Sequence, residues 1–329
     1  MEVKRRTAQS LISKLQSGSG QTRSAALCEL HHLTKRDPDI RPVIANEDSI
    51  SYLAKTLQSA SPLEKENAAA ILLNVSISCP DALMSTRSLL DALSHALSNH
   101  KHHHPAAVQF AVATVRNLLK IERCGSVIGS RREIVDALID IVRTLDSPPQ
   151  SLKHALKALF GLSLCPLNRA TMVELGAGKA LFELVENERR VWVVKNATAV
   201  IAQMAGCEES PEAFRRVSGI RVLVDLLNPG AGRSARIRKN AVAGLLNLVK
   251  FGKWVVVEEI RDLGSGFVFH GLGEMAHNES IKFKWRKRAQ TLIDVLDGTS
   301  LKSPELSPMN STDSGSESNS DPLFDSHSD

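Results

Sequence analysis

Apolar residues recur along this chain in one repeated pattern. In residues 238–249, Ala241 is followed by Leu245 four positions on and by Leu248 seven positions on. That spacing is the one-sided stripe of an amphipathic helix. The same Ala, +4, +7 pattern returns at Ala26/Leu30/Leu33, Ala68/Leu72/Val75, Ala111/Val115/Leu118, Ala155/Leu159/Leu162, Ala197/Ile201/Met204 and Ala289/Ile293/Leu296. Successive alanines lie 42, 43, 44, 42, 44 and 48 residues apart. A period of this length, sustained through the chain, predicts a helical solenoid in which each unit packs on its neighbours.

Each period has a common order: a short apolar helix, a glycine or polar break, a second apolar helix, a turn, and the long helix that begins near the alanine. In the fifth unit the pattern predicts helices at 170–175, 179–186 and 194–205, with Gly176-Ala177-Gly178 as the break. The sixth predicts helices at 213–217, 220–227 and 235–249, with a turn at 228–232. The seventh predicts 254–263, 267–275 and 283–296. The first unit is shorter: one helix at 5–16, a Ser/Gly break at 17–20, then the helix around Ala26. A shortened unit suits the end of an array, where one face must meet water.

After residue 298 the composition changes. Residues 301–329 are serine-rich and hold six acidic residues against one lysine, a composition that does not build a core. The expected organisation is therefore a solenoid over 1–298, with its first unit truncated, and an acidic, disordered tail over 299–329. The tail carries a net charge of −5 and the whole chain +5, which leaves +10 on the solenoid. Ser303 and Ser307, each followed by proline, are candidate phosphorylation sites.

The period, the three-helix order, the break at 174–178 and the Asn-Ala-x-x-x-Leu-x-Asn-Leu helix at 240–248 resemble armadillo (ARM) repeats over residues 1 to about 297. Within that group the chain looks like the ARM moiety of plant U-box ubiquitin ligases. The resemblance implies an all-α, right-handed superhelix of about seven repeats, with the third helix of each repeat lining a concave groove. It also implies protein–protein binding. The stretch before the first repeat is too short for a U-box, so the chain is expected to have no ligase activity of its own.

Helical geometry then sorts the residues of the third helix. At about 100° per residue, positions 0, +4 and +7 face one way and −2, +2 and +6 the other. The +6 register holds His32, Asn74, Asn117, Gly161, Gln203, Asn247 and Val295. In ARM proteins that bind extended peptides, asparagines in this register pair the ligand backbone. Asn74, Asn117, Gln203 and Asn247 are therefore candidate partner contacts, because an amide offers both donor and acceptor; a solvated or loop-capping role is the alternative. The −2 register holds Lys153, Lys195, Lys239 and Lys287 in the last four units, with Arg238, Arg286 and Arg288 beside them. A row of ammonium groups attracts an acidic or phosphorylated segment. The +2 register, where importin-alpha-like proteins carry tryptophans, holds Cys28, Ala70, Ala113, Lys157, Ala199, Ala243 and Thr291, so a basic cargo is not expected.

Other chemistry is sparse. Aromatic residues make up 4% of the chain, too few for a surface that stacks nucleic-acid bases. The five cysteines lie in separate units without a CxxC pair, and read as reduced thiols rather than as disulfides or zinc ligands. His100 to His104 read as a solvated turn, the basic run 282–288 as part of a helix, and no nucleophile–base pair stands out. No secretory-type apolar run follows the N-terminus and no stretch reaches 18 apolar residues, so a soluble, cytoplasmic or nuclear protein is expected. The combined expectation is a monomeric, non-enzymatic scaffold without cofactor or metal, binding an acidic or extended protein segment. The alternative is a substrate-recognition component of a ubiquitin-ligase pathway.

Overall fold

A computed structural model describes residues 2–17, 19–59, 61–98, 105–229, 234–264 and 266–298. The tail at 299–329 with Ser303 and Ser307, His100 to His104, and part of the turn at 228–232 lie outside the described residues. Among the described residues the secondary structure is helical, without strands. The first unit is α1 (Glu2–Ser17) and α2 (Gly20–Arg36). The second is a 3-10 turn (Pro38–Ile40) with α3 (Arg41–Ile44), then α4 (Glu47–Thr56) and α5 (Pro62–Ser78). Three-helix units follow: α6 (Pro80–Ser85), α7 (Arg87–Ser98), α8 (Pro105–Leu118); α9 (Cys124–Gly129), α10 (Arg132–Arg143), α11 (Pro149–Leu164); and α12 (Pro166–Glu174), α13 (Ala177–Asn187), α14 (Val191–Met204). The array ends with α15 (Ser210–Arg216), α16 (Gly219–Asp225), α17 (Ala235–Gly264), α18 (Val268–His277) and α19 (Phe283–Leu296).

These units stack into an all-α, armadillo-type solenoid. The long helices α2, α5, α8, α11, α14, α17 and α19 form one layer in which each packs on the next. Helices α4, α7, α10, α13 and α16 form a second layer in the same way. Ala68, Ala111, Ala155, Ala197, Ala241 and Ala289 are fully buried, and Ala26 is nearly so. Their +4 and +7 partners are buried with them, except Leu33 and Ile293, which are half-buried. The small alanine side chains and the larger residues at +4 and +7 thus share one apolar interior between the layers.

Helix ends follow local chemistry. Pro62, Pro80, Pro149 and Pro166 stand in the first turns of α5, α6, α11 and α12, where a missing N–H costs nothing. Ser61 and Asn46 accept the N–H of Glu64 and Ser49, capping α5 and α4. The break expected at 176–178 narrows to Gly176 alone, whose φ of 79° reverses the chain between α12 and α13. In the next unit Ser218 holds the corresponding left-handed position at φ 55°. The helices expected at 235–249 and 254–263 run on as α17, broken at Lys253, where φ is 50° and ψ −136°. By length and composition α17 is also the one helix among the described residues apolar enough to cross a membrane. Its apolar window is 61% buried within the solenoid, as befits a core helix interrupted by a lysine.

Specific contacts bind one unit to the next. Phe182 and Phe214, both buried, meet edge-to-face with ring centroids 4.9 Å apart, and Gly219 gives the Phe182 ring its room. Asn168 donates to the carbonyls of Gly125 and Leu162 at 3.0 and 2.9 Å, joining α12 to α9 and α11. Arg41 and Arg169 each donate to the last turn of one long helix and reach toward the end of the following one: Arg41 bonds Thr34 O and Ser78 Oγ, Arg169 bonds Ser163 O and Gly206 O. A guanidinium suits that place, since it satisfies carbonyls left unpaired at helix ends and complements the negative end of the dipole. On the exposed side, Arg131–Asp91 (2.7 Å), Arg132–Glu174 (2.9 Å) and Arg215–Glu259 (2.8 Å) also cross between units. Such exposed pairs add little individually.

Two glycines of α18 separate packing from helix propensity. A Cβ on Gly271 would lie 2.2 Å from the carbonyl oxygen of Leu227, whereas a Cβ on Gly273 meets nothing within 4 Å. Gly271→Ala is expected to destabilise the chain by about 1–3 kcal/mol, and Gly273→Ala to stabilise it by up to about 1 kcal/mol. Thermal and chemical denaturation check both; equal effects would contradict the close approach of α18 to the end of α16.

Candidate functional site

The candidate site is the face of the long-helix layer turned away from the core. The −2 register of that face is open to solvent throughout: Ser24, Glu66, Gln109, Lys153, Lys195 and Lys239 are half-buried and Lys287 is exposed. The +2 register is shallower. Cys28, Lys157, Ala199 and Thr291 are half-buried there, while Ala70, Ala113 and Ala243 lie beneath their neighbours. Small residues along the middle and longer ones at the edge make a trough rather than a ridge.

The four lysines fall in one row, as their shared register requires. Lys195, Lys239 and Lys287 form no ion pair with a described residue. Arg238 is engaged by Glu274 of α18 at 3.1 Å, and Arg286 and Arg288 lie over the rings of Phe283 and Trp285. Charge is also segregated between layers. Helices α8, α11, α14 and the part of α17 up to Lys253 contain no aspartate or glutamate. They carry Arg116, Lys153, Lys157, Lys195, Arg236, Arg238, Lys239, Lys250 and Lys253. Acidic residues of the same units stand on the other layers, among them Glu133, Asp136 and Asp140 of α10, Glu174 of α12, Glu183 and Glu186 of α13, Glu212 of α15 and Asp225 of α16, and in connecting loops at Glu122, Asp146, Glu188, Glu208 and Glu209. A helix face whose own charges are all of one sign attracts the opposite charge.

The carboxamides behave differently from the lysines. Asn74 Nδ2 donates to Thr34 Oγ1 at 3.0 Å, Asn117 Nδ2 to Ser76 Oγ at 3.0 Å, and Asn247 Nδ2 to the carbonyl of Ala202 at 2.8 Å. Each bond reaches back one unit, so the recurring amide is a stitch between neighbouring long helices. Each such bond is worth about 1 kcal/mol net. Asn117 and Gln203 are buried, at 8% and 3% exposure, whereas Asn74 and Asn247 remain half-exposed with Oδ1 able to accept. A second stitch occupies the −1 register: Asn240 Nδ2 donates to Thr198 Oγ1 at 3.0 Å, and Asn67 Oδ1 pairs with His31 Nδ1 at 2.9 Å.

The sequence pattern did not single out Arg116 and His154. Arg116 Nη1 donates to His154 Nδ1 at 3.3 Å across the α8–α11 seam. Burial first, then Arg116, Lys157 and Lys153, push the His154 imidazole down to about 4, so it is neutral at pH 7. Burial also lowers the Arg116 guanidinium, and burial together with Arg116 lowers the Lys120 ammonium. The signal available in the sequence was the absence of acids from these helices, not the pairing itself. The thiols are free; burial raises Cys79, Cys124 and Cys207. Among the described residues no His, Cys, Asp and Glu side chains gather as a metal site requires.

Known proteins share this architecture. The family model for the plant U-box protein ARM repeat region matches residues 7–267. U-box domain-containing protein 8 of Arabidopsis thaliana is 24% identical over 299 residues, covering 90% of this chain and 75% of that protein. U-box domain-containing protein 19 of Arabidopsis thaliana is 24% identical over 308 residues, covering 90% of this chain but 43% of that protein. A crystal structure of an engineered protein from the Northeast Structural Genomics Consortium superimposes with a TM-score of 0.74 at 19% identity, covering 88% of this chain and 68% of the engineered one. The repeated long helices, their buried alanines and the match over residues 7–267 place this chain in the plant U-box protein ARM repeat family, whose solenoid is typical of protein–protein interaction scaffolds.

Proposed function

We propose that the chain is a non-enzymatic scaffold that holds an acidic, extended segment of a partner protein along the open face of α11, α14, α17 and α19. The observation that carries this reading is the charge segregation: lysines in one register of four consecutive units, three of them on long helices that hold no carboxylate from α8 to Lys253. Bringing an acidic strand to that face relieves repulsion between the lysines and places its carboxylates in a partly desolvated trough, where screening by salt is weaker. Lys153, Lys195, Lys239 and Lys287 supply the attraction. The half-exposed Asn74 and Asn247 supply Oδ1 acceptors for backbone N–H groups, and Asn117 and Gln203 support the wall from beneath.

A second reading rests on a different observation. The similarity to Arabidopsis thaliana U-box domain-containing proteins extends over 90% of this chain. On that reading the solenoid selects substrates in a ubiquitin-ligase pathway, acting in trans with a ligase.

Two measurements test these readings. Replacing Lys195, Lys239 and Lys287 by glutamate is expected to weaken binding of a fluorescent polyglutamate peptide by about tenfold or more. Wild-type binding should weaken as salt is raised, and the outer-layer variant Lys179→Glu should bind like wild type. Undiminished binding by the triple variant would contradict the proposed face. In a ubiquitin-charging assay the purified chain is expected to transfer no ubiquitin; robust autoubiquitination would overturn the non-enzymatic reading.

A further inference from the structure

Two seams between long helices join position +5 of one helix to position −1 of the next: His31 meets Asn67 and Arg116 meets His154. Along the array these registers hold His31/Asn67, Leu73/Phe110, Arg116/His154, Phe160/Asn196, Ala202/Asn240 and Leu246/Arg288. Asn240 donates instead to Thr198, at +1 of the preceding helix. Of the six register pairs only Arg116/His154, at the α8–α11 seam, holds two basic residues.

The surroundings make that seam more positive still. Lys153 and Lys157, at −2 and +2 of α11, flank His154 on the open face, and both act on its imidazole. Lys120, just past the end of α8, acts with Arg116. Neither helix carries a carboxylate. Arg116, Lys153, His154 and Lys157 are all half-buried, so their charges lie where water screens them less. Folding has gathered these groups at a cost in repulsion that a bound anion would offset.

We propose that this cluster is a docking point for a phosphorylated serine or threonine carried by the acidic partner segment. The inference rests on the partner-binding face described above and names its most selective point. A phosphate monoester brings nearly two negative charges and three acceptor oxygens, against one charge and two oxygens for a carboxylate. Arg116 can release His154 and turn its planar fork to two phosphate oxygens. The flanking lysines supply point charges, and the neutral imidazole, whose Nδ1 accepts from Arg116, offers its Nε2–H as a further donor.

The test uses the full chain and a short acidic peptide with one central residue in serine, phosphoserine and glutamate forms, titrated by calorimetry at fixed ionic strength. The phosphoserine form is expected to bind about tenfold or more tightly than the serine form, with the glutamate form between them. Lys157→Gln, at a half-exposed position that leaves the core intact, is expected to cut the phosphoserine preference by about threefold or more. Arg116→Gln should cut it further, and both variants should weaken binding of the phosphoserine form more than that of the serine form. Equal affinity of the wild type for serine and phosphoserine forms, with binding of both, would overturn this proposal and leave the acidic-segment reading standing. A preference that survives in the double variant would overturn it also. Failure of every peptide to bind would remove both readings together.

Discussion

Among the described residues each long helix packs both on the helices of its own unit and on a neighbouring long helix, and the second contact makes the units one array. Ala68, Ala111, Ala155, Ala197, Ala241 and Ala289 are fully buried small residues on the inward stripe of these helices. Their larger partners at +4 and +7 belong to the same apolar interior. Everything else follows from this packing. It fixes the rotation of each long helix about its axis, and that rotation determines which residues are sunk, which lie at a seam and which reach the open face.

The seams show how the same geometry handles polar groups. A long-helix layer leaves side chains at its edges that neither the core nor water fully takes up. Amides answer this at Asn74, Asn117, Asn240 and Asn247, each donating back to the preceding helix. Arginines answer it at the helix ends, where Arg41 bonds Thr34 O and Ser78 Oγ and Arg169 bonds Ser163 O and Gly206 O. At Arg116 and His154 the answer is incomplete: a neutral imidazole accepts from a guanidinium and no carboxylate balances the pair. The Arg116 charge there lies beside Lys153 and Lys157, so the proposed binding face and this seam adjoin.

Much of this was legible in the sequence. The period gave the units, and the stripe gave the core residue by residue, because both are local properties of a helix with a fixed pitch. The lysine register was legible for the same reason. The fate of the carboxamides was not, since an asparagine at +6 reads the same whether it faces a ligand or Thr34, some 40 residues away. Arg116 and His154 were invisible because their pairing depends on two helices 38 residues apart being turned toward each other. The two helices expected at 235–249 and 254–263 are separated at Lys253, where the backbone leaves helical geometry (φ 50°, ψ −136°), so that boundary was legible.

The central claim is that an acidic polypeptide lies on the long-helix layer and nowhere else. Lysine footprinting tests it most directly: the full chain is acylated briefly with and without a polyglutamate peptide, and each lysine's modification is read by mass spectrometry. The account predicts protection of Lys153, Lys195, Lys239 and Lys287, with Lys55 of α4 and Lys179 of α13 modified as before. Protection of the outer-layer lysines instead, or of all lysines alike, would contradict it.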